Sequence, residues 1–167
     1  MYMADISERR NSSETPSFLV RFFATGFYSG YVPFAPGTAG SAVGLLIYWI
    51  PGFENHIILL SSIVVMFFVG VFVSGIMERS YGNDPPIVVI DEVVGMWITL
   101  LFLPKSIILS VGGFLLFRIF DIIKPPPARN LESLKKGWGI MLDDVMAGIY
   151  GNLVLQVLVK FIPQIFS

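Results

Sequence analysis

The chain contains no cysteine and one histidine, His56. Without thiols it can form no disulfide, no cysteine-ligated zinc site and no cysteinyl-phosphate intermediate. Charge is scarce as well: only 14% of its 167 residues are charged, with 11 basic and 12 acidic side chains and a formal net charge of −1. That balance leaves no basic surplus for a nucleic acid, so no nucleic-acid partner is expected. Internal repeats, low-complexity tracts and strand-like alternation are missing too, which argues against a solenoid or a β-barrel.

What is abundant is apolar. With 54% hydrophobic residues and a mean hydropathy of +0.75, the chain has too little polar surface for an ordinary soluble domain. It reads as an all-α, small polytopic membrane bundle of about four to five membrane helices plus a short N-terminal amphipathic helix, since roughly 20 residues cross a bilayer core of about 30 Å. Residues 1–17 are polar, lack the apolar core of a signal peptide and read as a cytoplasmic tail. Residues 18–167 then form a single membrane-embedded domain. The aromatic stretch 18–29 is too short to span and suits an interfacial or re-entrant helix. The expected helices are 38–51, 56–77, 87–103, 106–123 and 140–162, separated by Pro, Gly and charged links.

The scarce charges occupy unexpected places. Asp91 and Glu92 lie in IVVIDEVVGMWITLLFL, Arg118 and Asp121 in FLLFRIFDII, and Asp143 and Asp144 in GIMLDDVMAGIYGNLVL. An ionisable group within a membrane-length helix costs at least a few kcal/mol and is by default a functional-site candidate. If the five segments alternate direction, one side receives Arg9, Arg10, Arg21, Arg79, Arg118, Lys124, Arg129, Lys135 and Lys136, and the other only Lys105 and Lys160. The basic excess marks the first side as cytoplasmic. All three acidic motifs, the loop PFAPGTAGS and Asp84 then meet at that face, with His56 on the opposite side.

Spacing brings these groups toward a common interior. Asp144, Gly148, Gly151 and Asn152 form one small and polar stripe, and Glu92, Gly95 and Thr99 form another. Asp143 is rotated by about 100° and faces the mouth. Arg118 and Asp121 share a face at i, i+3, extended by Lys124. Taken singly, Arg118–Asp121 is equally an intrahelical ion pair, and Asp91–Glu92 and Asp143–Asp144 are equally acids complementing helix N-termini. Together, four or five carboxylates at one interface repel unless a cation neutralises them. Hard oxygen ligands without Cys or His favour Mg²⁺ or a similar ion. Adjacent Arg118, Lys124, Lys135 and Lys136 suggest an anionic substrate such as a phosphate. In PFAPGTAGS, Gly37 and Gly40 free the turn and the Thr38 and Ser41 hydroxyls stand near a helix N-terminus, either as an anion cradle or as a Gly-Pro membrane turn.

The ordered motifs PFAPGTAGS, DPPIVVIDEVVGMW, FRIFDIIKPPPAR and GWGIMLDDVMAGIYGN resemble the phosphatidylglycerophosphatase A family over residues 26–152. The resemblance implies a Mg²⁺-dependent enzyme of phospholipid biosynthesis that converts phosphatidylglycerophosphate to phosphatidylglycerol and inorganic phosphate, within membrane lipids. It implies a bacterial inner membrane location with the active site on the cytoplasmic face. The family's acidic motif falls on Asp84, Asp91 and Glu92, its Arg-Asp-Lys-Pro motif on Arg118, Asp121, Lys124 and Pro125, and its Asp pair on Asp143 and Asp144. The expected metal ligands are therefore Asp84, Asp91, Glu92, Asp143 and Asp144. Asp121, Asp144, Arg118 and Lys124 are the expected catalytic groups, with Thr38, Ser41, Arg118 and Lys124 binding substrate. Metal-assisted attack by water and an aspartyl-phosphate both remain compatible with the residue inventory. The competing class is an ion-coupled transporter with an intramembrane carboxylate site, which would spread its acids through the bilayer depth.

Overall fold

The structure is a computed structural model that describes residues 15–131, 134 and 136–162. Most of the expected polar tail, including Arg9 and Arg10, and also Lys135 lie outside the described residues. Among the described residues there are seven α-helices, one 3-10 turn (Ser29–Tyr31) and no strand: α1 (Phe18–Ala24), α2 (Pro36–Tyr48), α3 (His56–Tyr81), α4 (Ile90–Leu100), α5 (Ile107–Ile123), α6 (Ala128–Leu131) and α7 (Trp138–Phe161).

The all-helical expectation holds, but the apolar segments differ in reach. At 1.5 Å per residue, α3 and α7 are about 39 and 36 Å long, and both are apolar enough to cross a bilayer core of about 30 Å. Helix α5 reaches about 25 Å, whereas α2 and α4 reach only about 20 and 17 Å, too short to cross. Among the described residues two helices, rather than four or five, therefore satisfy both length and apolarity.

Helix α4 is the hub, packed against α2, α3, α5 and α7. Its Val93, Val94 and Met96 have no exposed surface, and it carries buried residues on every side, as expected for a helix at the centre of a bundle. It starts later than its apolar run suggests. Pro85 and Pro86 disfavour helix before them, and Val89 donates its N–H to the Ala24 carbonyl of α1 (2.9 Å) instead of joining a helix. At the other end Asn152 of α7 donates to the carbonyls of Thr99 (3.0 Å) and Leu101 (2.8 Å), satisfying acceptors that the terminating helix leaves open. The crossing of α4 and α7 depends on glycine: a Cβ on Gly148 would lie 2.6 Å from the Gly95 carbonyl oxygen, and one on Gly95 would lie 2.9 Å from that of Asp144.

The two ends of the bundle differ in chemistry. At one end Lys105 pairs with Glu54 (2.9 Å), and His56 packs its ring against Phe102. The Lys105 hydrogen bond holds the Glu54 carboxyl below the usual carboxylate range, so this pair's contribution is present above that range and fades as the pH falls through the lowered value. The opposite end gathers residues 34–38, the start of α4, the end of α5 and the start of α7. Between the ends, outward apolar side chains run from Ile57 to Phe72 on α3 and from Ile107 to Ile123 on α5. These bands are about 24–25 Å tall, and exposed apolar surface of that extent marks a lipid or protein contact.

Candidate active site

At that second end a cavity of about 470 Å³ is lined by Phe34, Thr38, Asp84, Asp91, Glu92, Arg118, Asp121, Lys124, Asp143 and Asp144, among others. Each polar group arrives by a local rule. Asp91 and Glu92 occupy the first turn of α4, whose N-terminus has no side-chain cap, so their charge complements the unpaired N–H groups there. Helix α2 also starts uncapped, with Pro36 in its first turn, where a missing N–H costs nothing. Its N-terminal residues 36–38 face the same cavity. Arg118 and Asp121 fall on one face of α5, and Lys124 ends that helix in a left-handed conformation.

The contacts sort the charges. Oxygens of Asp91, Glu92 and Asp144 lie within 4.8 Å of one another and form a group able to hold a metal ion. Asp91 Oδ1, Glu92 Oε2 and Asp144 Oδ2 are buried without hydrogen-bond partners. Orphaned carboxylate oxygens in a buried place are costly, and a bound cation would satisfy all three. The donor set is hard oxygen throughout, which suits a metal of the Mg²⁺ or Mn²⁺ type.

Asp143 is engaged differently. Its Oδ2 accepts from Lys124 Nζ (2.7 Å) and its Oδ1 from the Asp144 N–H (3.0 Å). Arg118 Nη1 stands 2.8 Å from Asp121 Oδ2 and 3.9 Å from Glu92 Oε1. Neither contact is a hydrogen bond, the second being too long, and Nη1 and Nε remain without hydrogen-bond partners. Donors and bare carboxylates thus face one space, an arrangement able to take an anion and a cation together.

Among the residues expected at the site, Thr38, Asp84, Asp91, Glu92, Arg118, Asp121, Lys124, Asp143 and Asp144 line this cavity, with Asp84 exposed at its rim. Ser41 does not line it. Its hydroxyl is buried and donates to the Gly37 carbonyl (2.8 Å), one turn into α2. Lys136 also lies elsewhere, in a second groove beside Arg79. Sequence reasoning passed over the closeness of Gly37: a Cβ there would press on Glu92 Oε1 and lie 2.9 Å from Arg118 Nη1. The signal was present, since a Pro-Gly-Thr helix start next to carboxylates leaves room for little but glycine.

Fold and site together define a helical-bundle phosphatase, with a carboxylate group that can bind metal and cations that can bind phosphate. The chain belongs to the phosphatidylglycerophosphatase A family, whose pattern it matches over residues 22–159. It is 36% identical to a phosphatidylglycerophosphatase A of Escherichia coli over 90% of this chain and 88% of that protein. A Haemophilus influenzae protein of the same name is 36% identical over 81% of this chain and 86% of its own length. A Bacteroides thetaiotaomicron protein described as a putative phosphatidylinositol-3-phosphatase is 42% identical over 85% and 94%, respectively. No solved structure matches the chain. The family supports a lipid phosphatase and does not favour the transporter alternative.

Proposed function

We propose that this chain is a Mg²⁺-dependent phosphatase that hydrolyses phosphatidylglycerophosphate to phosphatidylglycerol and inorganic phosphate at the cytoplasmic face of a bacterial inner membrane. The observation that carries the reading is the convergence of three orphaned carboxylate oxygens with Arg118, Lys124 and the uncapped start of α2 in one cavity. Asp91, Glu92 and Asp144 would hold the metal, with Asp143 and Asp84 beside them. When bound, that ion supplies Lewis-acid polarisation of the phosphoryl group and an activated water.

The protein groups do the rest. Arg118 and Lys124 bind non-bridging phosphate oxygens and stabilise the charge that develops on them. The N–H groups opening α2, with the Thr38 hydroxyl, hold the same phosphate from the other side. Asp121 accepts the proton of the attacking water. The P–O bond to the glycerol breaks, and the proton taken up by Asp121 is returned through solvent to the departing alkoxide, so that a neutral alcohol and inorganic phosphate leave and the carboxylate is restored. Asp143 keeps Lys124 oriented, since its carboxylate bonds the ammonium directly.

The cavity lies where the outward apolar bands end: Ile123 closes the α5 band, and the next residue, Lys124, reaches into the site. A lipid phosphate can therefore enter while its acyl chains stay in the bilayer. In this arrangement α3 and α7 cross the membrane, and the shorter α2, α4 and α5 complete the bundle.

The 42% identity to a putative phosphatidylinositol-3-phosphatase favours a second substrate reading with the same chemistry. The test is phosphate release by the purified protein from phosphatidylglycerophosphate and from phosphatidylinositol 3-phosphate, each with and without Mg²⁺. The proposal expects metal-dependent release with preference for the first; preference for the second replaces the substrate, and no release from either overturns the reading.

A further inference from the structure

A second cavity, of about 370 Å³, lies away from the active site, between the C-terminal half of α3 and the turn that opens α7. Its described lining includes Phe68, Val71, Phe72, Gly75, Arg79 and Lys136. We infer that this groove binds the headgroup and upper acyl chains of an anionic phospholipid, as a site distinct from the catalytic cavity.

Charge is the first argument. Among the described residues two cations and no carboxylate line the groove, and neither Arg79 nor Lys136 has an ion-pair partner. Glu78, the acid next to Arg79 in sequence, does not line the groove: its Oε2 accepts from the Gly137 N–H (2.7 Å) at the edge of the groove. Paired basic side chains above an apolar wall are the chemistry that holds an anionic lipid headgroup.

Level is the second argument. The outward apolar face of α3 ends at Phe72, and Arg79 follows seven residues later, about 10 Å along the helix. A lipid phosphate between Arg79 and Lys136 would therefore leave its chains against Phe72 and Phe68, pointing into the band.

Rigidity is the third. Lys136 and Gly137 both have positive φ, and a Cβ on Gly137 would press on the Val71 carbonyl oxygen. The bond from Gly137 to Glu78 fixes this turn on α3, so Lys136 is presented to the groove without a search through loop conformations.

The test uses the full chain, with Trp49 and Trp97 replaced by Phe so that the emission is that of Trp138, in phosphatidylcholine vesicles doped with brominated phosphatidylglycerol; Trp138 packs on Phe67 beside the groove. Half-quenching is expected at a lower fraction of brominated phosphatidylglycerol than of brominated phosphatidylcholine. In the Arg79→Ala, Lys136→Ala double variant that preference weakens about tenfold, while Mg²⁺-supported release of phosphate from a short-chain substrate in detergent stays within about twofold of the parent. Equal quenching by the two lipids in the parent, an unchanged preference in the variant, or relief of quenching by millimolar inorganic phosphate would each overturn the assignment. The quenching signal requires no turnover, so failure of the catalytic proposal leaves it readable.

Discussion

Asp91, Glu92 and Asp144 each keep a buried oxygen without a hydrogen-bond partner, a cost to the fold that a bound cation would offset. Asp91→Asn or Asp144→Asn should lower phosphate release by about 100-fold or more, and should leave the thermal midpoint of the metal-free protein unchanged or higher, because one of several repelling charges is gone. The rise in midpoint on adding Mg²⁺ should vanish in the same variants. Near-parental turnover in either would remove these residues from the metal set. Gly37→Ala tests the other side of the cavity. Its Cβ would crowd Glu92 and Arg118, both long side chains able to shift, so the expected result is a loss of activity on the order of 10- to 100-fold through misplacement, with little change in melting. At this scale much of the site was legible in the sequence. Charges inside apolar segments are expensive, so their presence announces a purpose. The assignment of each charge to a partner was not legible: Asp143 turns to Lys124 across a 19-residue separation, a pairing set by how α5 and α7 cross. Ser41 looked equivalent to Thr38 until helix α2 placed its hydroxyl over the Gly37 carbonyl.

At the scale of elements, small residues set how closely α4 and α7 approach, and Phe117 of α5 closes the third side of the same contact, 2.5 Å from where a Gly95 Cβ would stand. Gly148→Ala places a methyl against backbone that cannot retreat, and should destabilise the fold by about 1–3 kcal/mol. Gly112→Ala on α5 is the matched control: its Cβ would meet only Leu155 Cδ2 at 3.8 Å, so it should be neutral or stabilising by up to about 1 kcal/mol from helix propensity. Thermal unfolding of both variants in one detergent measures the difference, and equal melting would show that the glycine contact does not limit packing. The long helices were readable from apolar runs bounded by Pro, Gly and charge; α5 begins and ends within a residue of expectation. Helix α4 was misjudged, 87–103 against Ile90–Leu100, because Val88, Val89 and Leu103 are buried outside it. An apolar run records burial, and burial in a non-helical link looks the same as burial in a helix. The opposite error shortened α3, whose polar last turn stays helical to Tyr81, where Glu78 is tied to Gly137.

At the scale of the whole molecule, the proposed membrane arrangement requires the two ends to face different compartments. The carboxylate end would lie toward the cytoplasm, where the basic residues collect, and the Glu54–Lys105 end would lie outside. Only α3 separates residues 51 and 83 in the chain, so labelling these two positions tests whether it crosses. The absence of native cysteine makes the experiment clean. Pro51→Cys and Asn83→Cys each replace an exposed residue in a turn or bend flanking α3, neither of them in the active cavity. In intact cells a membrane-impermeant maleimide should label Pro51→Cys and spare Asn83→Cys, and inverted membrane vesicles should reverse the pattern. Labelling of both from one side would mean that α3 turns back or lies flat, and that its exposed Ile57–Phe72 face is covered by protein. The reversed pattern would keep the span but place the carboxylate cavity on the outer face, where a substrate made in the cytoplasm would first have to cross the bilayer.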